Sequence, residues 1–173
     1  MILIVELCVV IGVLILDLLT KGIAEASLPL GGSVPVIEGV FHFTFTRNDG
    51  AAWSILSGQR WFFVVTGLLA CIVIVWFLLK SKQNSKVLRI GLSLMLAGTM
   101  GNLYDRMVWG SVRDMLDFRL INFPIFNVAD SALCIGVILV IVYVLFIYKE
   151  TEKKDKTQTD LVADDNAENN PNE

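Results

Sequence analysis

Four stretches of this chain are apolar over nearly the length a helix needs to cross a bilayer, roughly 20 residues. They cover residues 2–19, 61–79, 87–104 and 132–148. Within hydrocarbon every backbone N–H and C=O must be satisfied inside the protein, so a single apolar segment of this length crosses as a helix. The expected fold class is therefore an all-α membrane protein with four transmembrane helices. Composition agrees: 18% of residues are charged, against about a quarter in ordinary soluble domains. The third stretch is the least apolar and carries Gly91, Ser93, Gly98, Thr99 and Gly101. Small residues let helix backbones approach closely in lipid, so this helix is expected inside the bundle. The first stretch has Glu6 but no Lys or Arg near its start and no small-residue cleavage site. It reads as a retained helix, not a cleaved leader.

Positive charge orients the spans. Lys80, Lys82, Lys86 and Arg89 fall between the second and third, and Lys149, Lys153, Lys154 and Lys156 follow the fourth. Basic connections stay in the cytoplasm, so both termini are expected there. Residues 21–60 and 105–131 then face outward. The outer segment 21–60 is not a bare linker. Residues 34–46 are rich in β-branched and aromatic side chains, punctuated by Pro29, Gly31, Gly32, Pro35 and Gly39. That pattern predicts short strands in a small β-rich platform between helices one and two. Arg106, Arg113 and Arg119 run against the charge rule in the second outer segment, and nearby carboxylates are expected to hold them. Residues 151–173 are polar and acidic and predict a disordered cytoplasmic tail. Residues 1–150 form the membrane domain.

From Lys149 to Glu173 there are four Lys against eight Asp or Glu, so the net charge of −3 is about +1 without that segment. No basic stripe suggests a nucleic-acid partner. Cys8, Cys71 and Cys134 are scattered through apolar runs, away from the single His42. They read as small buried hydrophobes, with no disulfide framework, no metal site and no cofactor expected.

The polar residues gather where the spans end. Asp17 and Lys21 are four apart on one helical face, which on their own reads as an interfacial pair. Arg47-Asn48-Asp49-Gly50-Ala51-Ala52-Trp53-Ser54 contains a turn signal. Asn102 and Arg106 share a face of the third helix. Asp130, beside Asn127, opens the fourth helix, where an acid commonly serves as a cap. Asp114 and Asp130 are separated by an apolar, aromatic turn around Pro124, which could fold back and bring the two carboxyls together at the membrane surface. Two carboxyls in close contact share a proton. One can then take a proton from water while the other polarises a scissile carbonyl. Asp117 is the rival to Asp114. Two other classes use the same residues differently. A small transporter or channel subunit would run an ion path through Asp17, Lys21, Arg106 and Asp114, though these cluster at helix ends and not at midplane. A scaffold protein would not need two separated Asp residues.

The blocks Asn48-x-Gly50-Ala51-Ala52, Gly101-Asn102-Leu103-x-Asp105-Arg106, Val112-x-Asp114 and Phe126-Asn127-x-Ala129-Asp130-Ser131, with Asp17-x-x-x-Lys21, resemble lipoprotein signal peptidase (signal peptidase II) in order and spacing over about residues 1–148. The resemblance implies an aspartic endopeptidase with Asp114 and Asp130 as the catalytic pair. It implies that Asn48, Asn102, Arg106 and Asn127 surround the pair and hold substrate, with Asp17 and Lys21 in support. The implied substrates are lipid-modified prolipoproteins, cut just before the diacylglyceryl cysteine. The implied setting is the lipid of the bacterial cytoplasmic (inner) membrane, with the site at its outer face, and the implied inhibitors are globomycin-type peptides.

Overall fold

The structure is a computed structural model that describes residues 2–51, 55–80 and 85–148. Ala52, Trp53 and Ser54 of the turn block, Lys82, and the segment from Lys149 with its tail lie outside the described residues. Helix α1 spans Ile2–Ser27, strands β1 and β2 span Ser33–Ile37 and Phe41–Asn48, and helices α2 and α3 span Arg60–Lys80 and Lys86–Trp109. Strand β3 covers Val112–Phe118 and a single 3₁₀ turn covers Arg119–Ile121. Helix α4 runs over Val128–Val142 and continues as a π-helical stretch, Tyr143–Tyr148.

Among the described residues, three helical segments are long and apolar enough to cross a membrane: Ile4–Ser27, Arg60–Lys80 and Val128–Tyr148. Most of their surface is uncovered by protein, with Trp61, Phe62, Leu79 and Ile138 among the exposed apolar side chains. Such a surface suits lipid, not water. Helix α3 differs. It packs against all three other helices and buries Gly91, Leu92, Ser93, Leu96, Ala97, Gly98 and Gly101. Close approach explains its small residues: a Cβ placed on Gly91 would stand 3.0 Å from the Gly136 carbonyl oxygen, and one on Gly136 would stand 2.6 Å from that of Gly91. At its far end α3 stops on Gly110, which takes the left-handed conformation (φ 81°) and returns its N–H to the Arg106 carbonyl, a conformation glycine adopts without a Cβ penalty.

Helix α1 continues through Ser27, past residue 21, where the outer segment was expected to begin. The chain holds no proline before Pro29, and a helix ordinarily ends at or before the residue preceding a proline. The extra turns support the platform, since Ala24 and Leu28 pack against Phe45 and Met115. The platform is a three-stranded antiparallel sheet ordered β1-β2-β3. Its third strand comes from residues 105–131, so the platform joins both segments expected to face outward. Thr46 pairs with Asp114 and Asn48 with Val112, after a register irregularity between Phe43 and Thr46.

Candidate active site

Helix α4 begins at the centre of the site. Asn127 is its N-cap: its side-chain oxygen accepts from the Asp130 N–H at 2.9 Å, while the Asp130 carboxylate accepts from the Asn127 N–H at 3.2 Å. This is a reciprocal capping box, which satisfies helix-end donors that would otherwise be orphaned. The side-chain nitrogen of the same Asn127 donates to Asp114 Oδ1 at 2.6 Å and to Asn102 Oδ1 at 3.1 Å. Asn102 in turn donates to Asp130 Oδ1 at 2.6 Å. Two asparagines thus link the carboxyls of Asp114 and Asp130, from β3 and α4, and both carboxyls line one cavity of about 400 Å³. Asn48 and Arg106 line it too, and the Asn48 side chain hydrogen-bonds to Asp114.

Behind the asparagines lies a buried ion cluster. Lys21 Nζ donates to Asp17 Oδ2 at 2.7 Å and to Asn102 Oδ1 at 3.1 Å, and lies 3.5 Å from Asp105 Oδ2. Asp17 Oδ1 accepts from the Ala129 N–H at 3.0 Å. Asp17, Lys21 and Asp105 are all fully buried, so this is not the interfacial i,i+4 pair their spacing alone suggests. A buried charge is tolerated only when paired and hydrogen-bonded, and here each bond also fixes a neighbour. The lysine orients Asn102, and Asp17 holds the first turn of α4.

The arginines of the segment expected to face outward are held as the nearby acids led one to expect, with one exception. Arg113 forms a bidentate contact with Asp105, at 2.7 and 3.2 Å, and reaches Glu25 at 3.0 Å. Arg119 Nε donates to Asp117 at 2.9 Å. Arg106 makes no such salt bridge among the described residues. It donates to the Gly50 carbonyl at 2.7 Å, stacks over Phe63 and faces the charges of Asp130, Asp114 and Asp105.

The two acids of β3 sit in opposite environments. Burial, and after it the neighbouring Asp130 charge, push the Asp114 carboxyl up to about 7, against hydrogen bonds from Asn127 and Asn48 and the Lys21 charge. Burial also acts upward on Asp117, but hydrogen bonds from Thr44 and Arg119 and the Arg119 charge outweigh it and hold that carboxyl below its ordinary value. Asp114 can therefore carry a proton near neutrality, whereas Asp117 remains an ionised partner of Arg119.

Residues 9–146 match the sequence model of the family described as signal peptidase (SPase) II. The chain belongs to the signal peptidase II family. As a member it is a peptidase, and its apolar helices make it membrane-integral. It is 46% identical over 147 residues to the lipoprotein signal peptidase of Latilactobacillus sakei, covering 84% of this chain and 97% of that one. It is 41% identical over 144 residues to the enzyme of the same name from Bacillus subtilis, covering 82% and 92%. A bacterial membrane enzyme structure obtained by the in meso method at 2.3 Å resolution superposes with a TM-score of 0.80 at 39% identity, over 87% of this chain and 91% of that chain.

All eight residues singled out in the sequence (Asp17, Lys21, Asn48, Asn102, Arg106, Asp114, Asn127 and Asp130) meet in this one network. Sequence reasoning missed the roles of Asp105 and Glu25, the two acids that hold Arg113. Asp105 was a letter in a motif block. Its position three residues after Asn102, on the same helical face, was the signal that it belonged to the buried cluster.

Proposed function

We propose that this signal peptidase II removes signal peptides from diacylglyceryl-modified prolipoproteins, cutting just before the lipidated cysteine. The cut is an aspartic hydrolysis: water held between Asp114 and Asp130 attacks the scissile carbonyl. One carboxylate accepts the water's proton while the other, protonated, donates to the carbonyl oxygen. The tetrahedral intermediate then collapses: the C–N bond breaks as the first carboxyl passes its proton to the leaving amine, and the second takes back the hydroxyl proton as the new acid forms. The observation that carries this reading is the pair of carboxyls in one cavity, bridged through Asn127 and Asn102. The bridging amides fix the orientation of both acids before substrate arrives, so no reorganisation is needed at the moment of reaction. Asn48 and Arg106 line the same cavity and would hold the peptide backbone, with Asp17 and Lys21 in support.

The relatives named lipoprotein signal peptidase support the substrate class. In the proposed setting, α3 is a fourth span, sheltered from lipid by its neighbours, and both termini are cytoplasmic. The platform and dyad stand at the outer face of the bacterial cytoplasmic membrane. Globomycin-type peptides are proposed to occupy the dyad's cavity. The test is cleavage by the purified full-length protein, in detergent, of a prolipoprotein with and without its diacylglyceryl group. Cleavage confined to the lipidated form and blocked by globomycin is the expected result. Equal cleavage of both forms would sink the proposed specificity.

A further inference from the structure

A second cavity, of about 630 Å³, opens on the other side of Asp114, lined by Thr46, Arg47, Asn48, Asp114, Arg119 and Asn122 among others. We propose that it is a subsite for the chain on the product side of the cut, the first polar residues of the mature protein after the modified cysteine. This rests on the proposed peptidase reading and extends it to a surface that reading leaves unused. Asn48, Asp114 and the turn 123–125 line both cavities, so a chain laid across Asp114 passes from one into the other.

The two cavities differ in chemistry as the two halves of such a substrate do. The first lies between α3 and α4 and is walled by Val112, Phe126, Leu133 and Cys134. The second is walled by β2, β3 and the turn after them. A leader segment carries its apolar stretch shortly before the cut, followed by small residues, whereas the chain beyond it ends up in water. The volume is in the range that encloses a short peptide or drug-sized ligand, roughly 300–1,000 Å³.

The charges of the second cavity are already spent. Arg47 is paired with Glu25 at 2.5 Å and Arg119 with Asp117 at 2.9 Å. Arg119 is further fixed by donating to Ser33 Oγ at 2.6 Å. What remains is a set of paired polar groups without a large excess of either sign. Such a wall suits the backbone and small polar side chains of an extended peptide, and gives no premium to a strongly acidic or basic one.

The experiment compares two synthetic diacylglyceryl-cysteine peptides with the same leader. One ends at the cysteine as an amide, and the other continues through four Ser, Gly or Asn residues. With the full-length protein in detergent, kcat/KM for the longer peptide is expected to exceed that for the shorter by about tenfold, the effect of roughly 1.4 kcal/mol of extra binding, carried mainly by KM. Asn122→Gly and Arg119→Gln are each expected to reduce that ratio towards one. Asn122 takes φ 50°, which glycine adopts freely, so the first variant removes the side chain without disturbing the turn. A wild-type ratio of one, or variants that slow both peptides in equal proportion, would overturn the subsite alone. If the wild-type protein cleaves neither peptide, the peptidase reading fails and the subsite with it.

Discussion

At the level of single residues, Asp114 differs from Asp117 through its partners. Both are on β3 and both are buried, but Asp114 meets amide donors and another acid, while Asp117 meets Arg119. Asp114→Asn and Asp130→Asn are each expected to lower cleavage by at least the 10²- to 10⁴-fold typical of lost acid–base catalysis, with Asp117→Asn much milder. A cleavage assay on the three variants decides it, and the reverse order would move the dyad. The pH profile gives a second measurement. If the working dyad carries one proton, raising pH through about 7 removes it from Asp114, so kcat/KM falls on the alkaline side. Asn48→Ala takes away a hydrogen bond that favours ionised Asp114, so that limb is expected to move to higher pH even as the rate drops. Stability follows the same sign. A carboxyl whose folded pKa is raised contributes stability below its unfolded value and loses it as pH rises through the folded one. At pH 8 native Asp114 is ionised at a cost on the order of 1–4 kcal/mol. Asp114→Asn removes that cost and keeps an oxygen to accept from Asn127. The variant is expected to melt higher than wild type at pH 8, with the difference vanishing near pH 4. A lower melting temperature at pH 8 would mean the buried charge is better compensated than its surroundings indicate.

Among the elements, helix α3 carries the tightest packing, and its small residues now have separate reasons. Gly91 admits the backbone of α4, whereas Gly101 protects an ion cluster: a Cβ there would stand 2.5 Å from Asp17 Oδ2 and 3.2 Å from Ala129 Cβ. Asp17 cannot yield freely, because it holds Lys21 and the Ala129 N–H. Gly101→Ala is therefore expected to cost about 1–3 kcal/mol, the usual range for overpacking, and to misplace Asn102 and slow cleavage tenfold or more. Gly12→Ala is the control, since nothing lies within 4 Å of its added methyl. Equal effects on melting and cleavage from the two substitutions would count against this account. Apolar length made four stretches legible in the sequence, and among the described residues three of them are long and apolar enough to cross, while the small residues marked α3 as the helix packed inside. β1 and β2 were legible from β-branched and aromatic residues. β3 was not, because Val112-Arg113-Asp114-Met115-Leu116-Asp117-Phe118 has no clean alternation. Its arginine and both its acids are buried by partners on other elements, which no local pattern reveals. The same holds for Glu25, whose task depends on α1 outlasting the membrane-like stretch.

Over the whole molecule, polar burial is split between two ends with an apolar core between them. At one end Glu6 on α1 pairs with Arg89 on α3, and Arg89 also donates to the Leu78 carbonyl at the close of α2. At the other stand the dyad, its asparagines and the Lys21 cluster. Val10, Ile74, Leu92, Leu96 and Ala97 fill the space between. The 24 residues of α3 extend about 36 Å at 1.5 Å per residue, enough for a hydrocarbon layer of about 30 Å. That length lets Ser85, just before α3, and Ser111, just after it, lie on opposite faces. Charge supports the proposed orientation. The connection from α2 to α3 keeps Lys80, Lys82 and Lys86 without a competing acid in residues 80–86. On the other side Arg113 and Arg119 are neutralised by Asp105, Glu25 and Asp117, and Arg106 faces the dyad. The proposed orientation rests on the lysines of the α2–α3 connection and of residues 149–156, because the rule counts Lys and Arg near the spans and gives acids little weight. With Cys8, Cys71 and Cys134 replaced, Ser111→Cys is expected to react with an impermeant thiol reagent on intact cells. Ser85→Cys should react only after the membrane is opened. Labelling of Ser85→Cys from outside would invert the proposed orientation and leave the dyad facing the cytoplasm, away from any exported substrate.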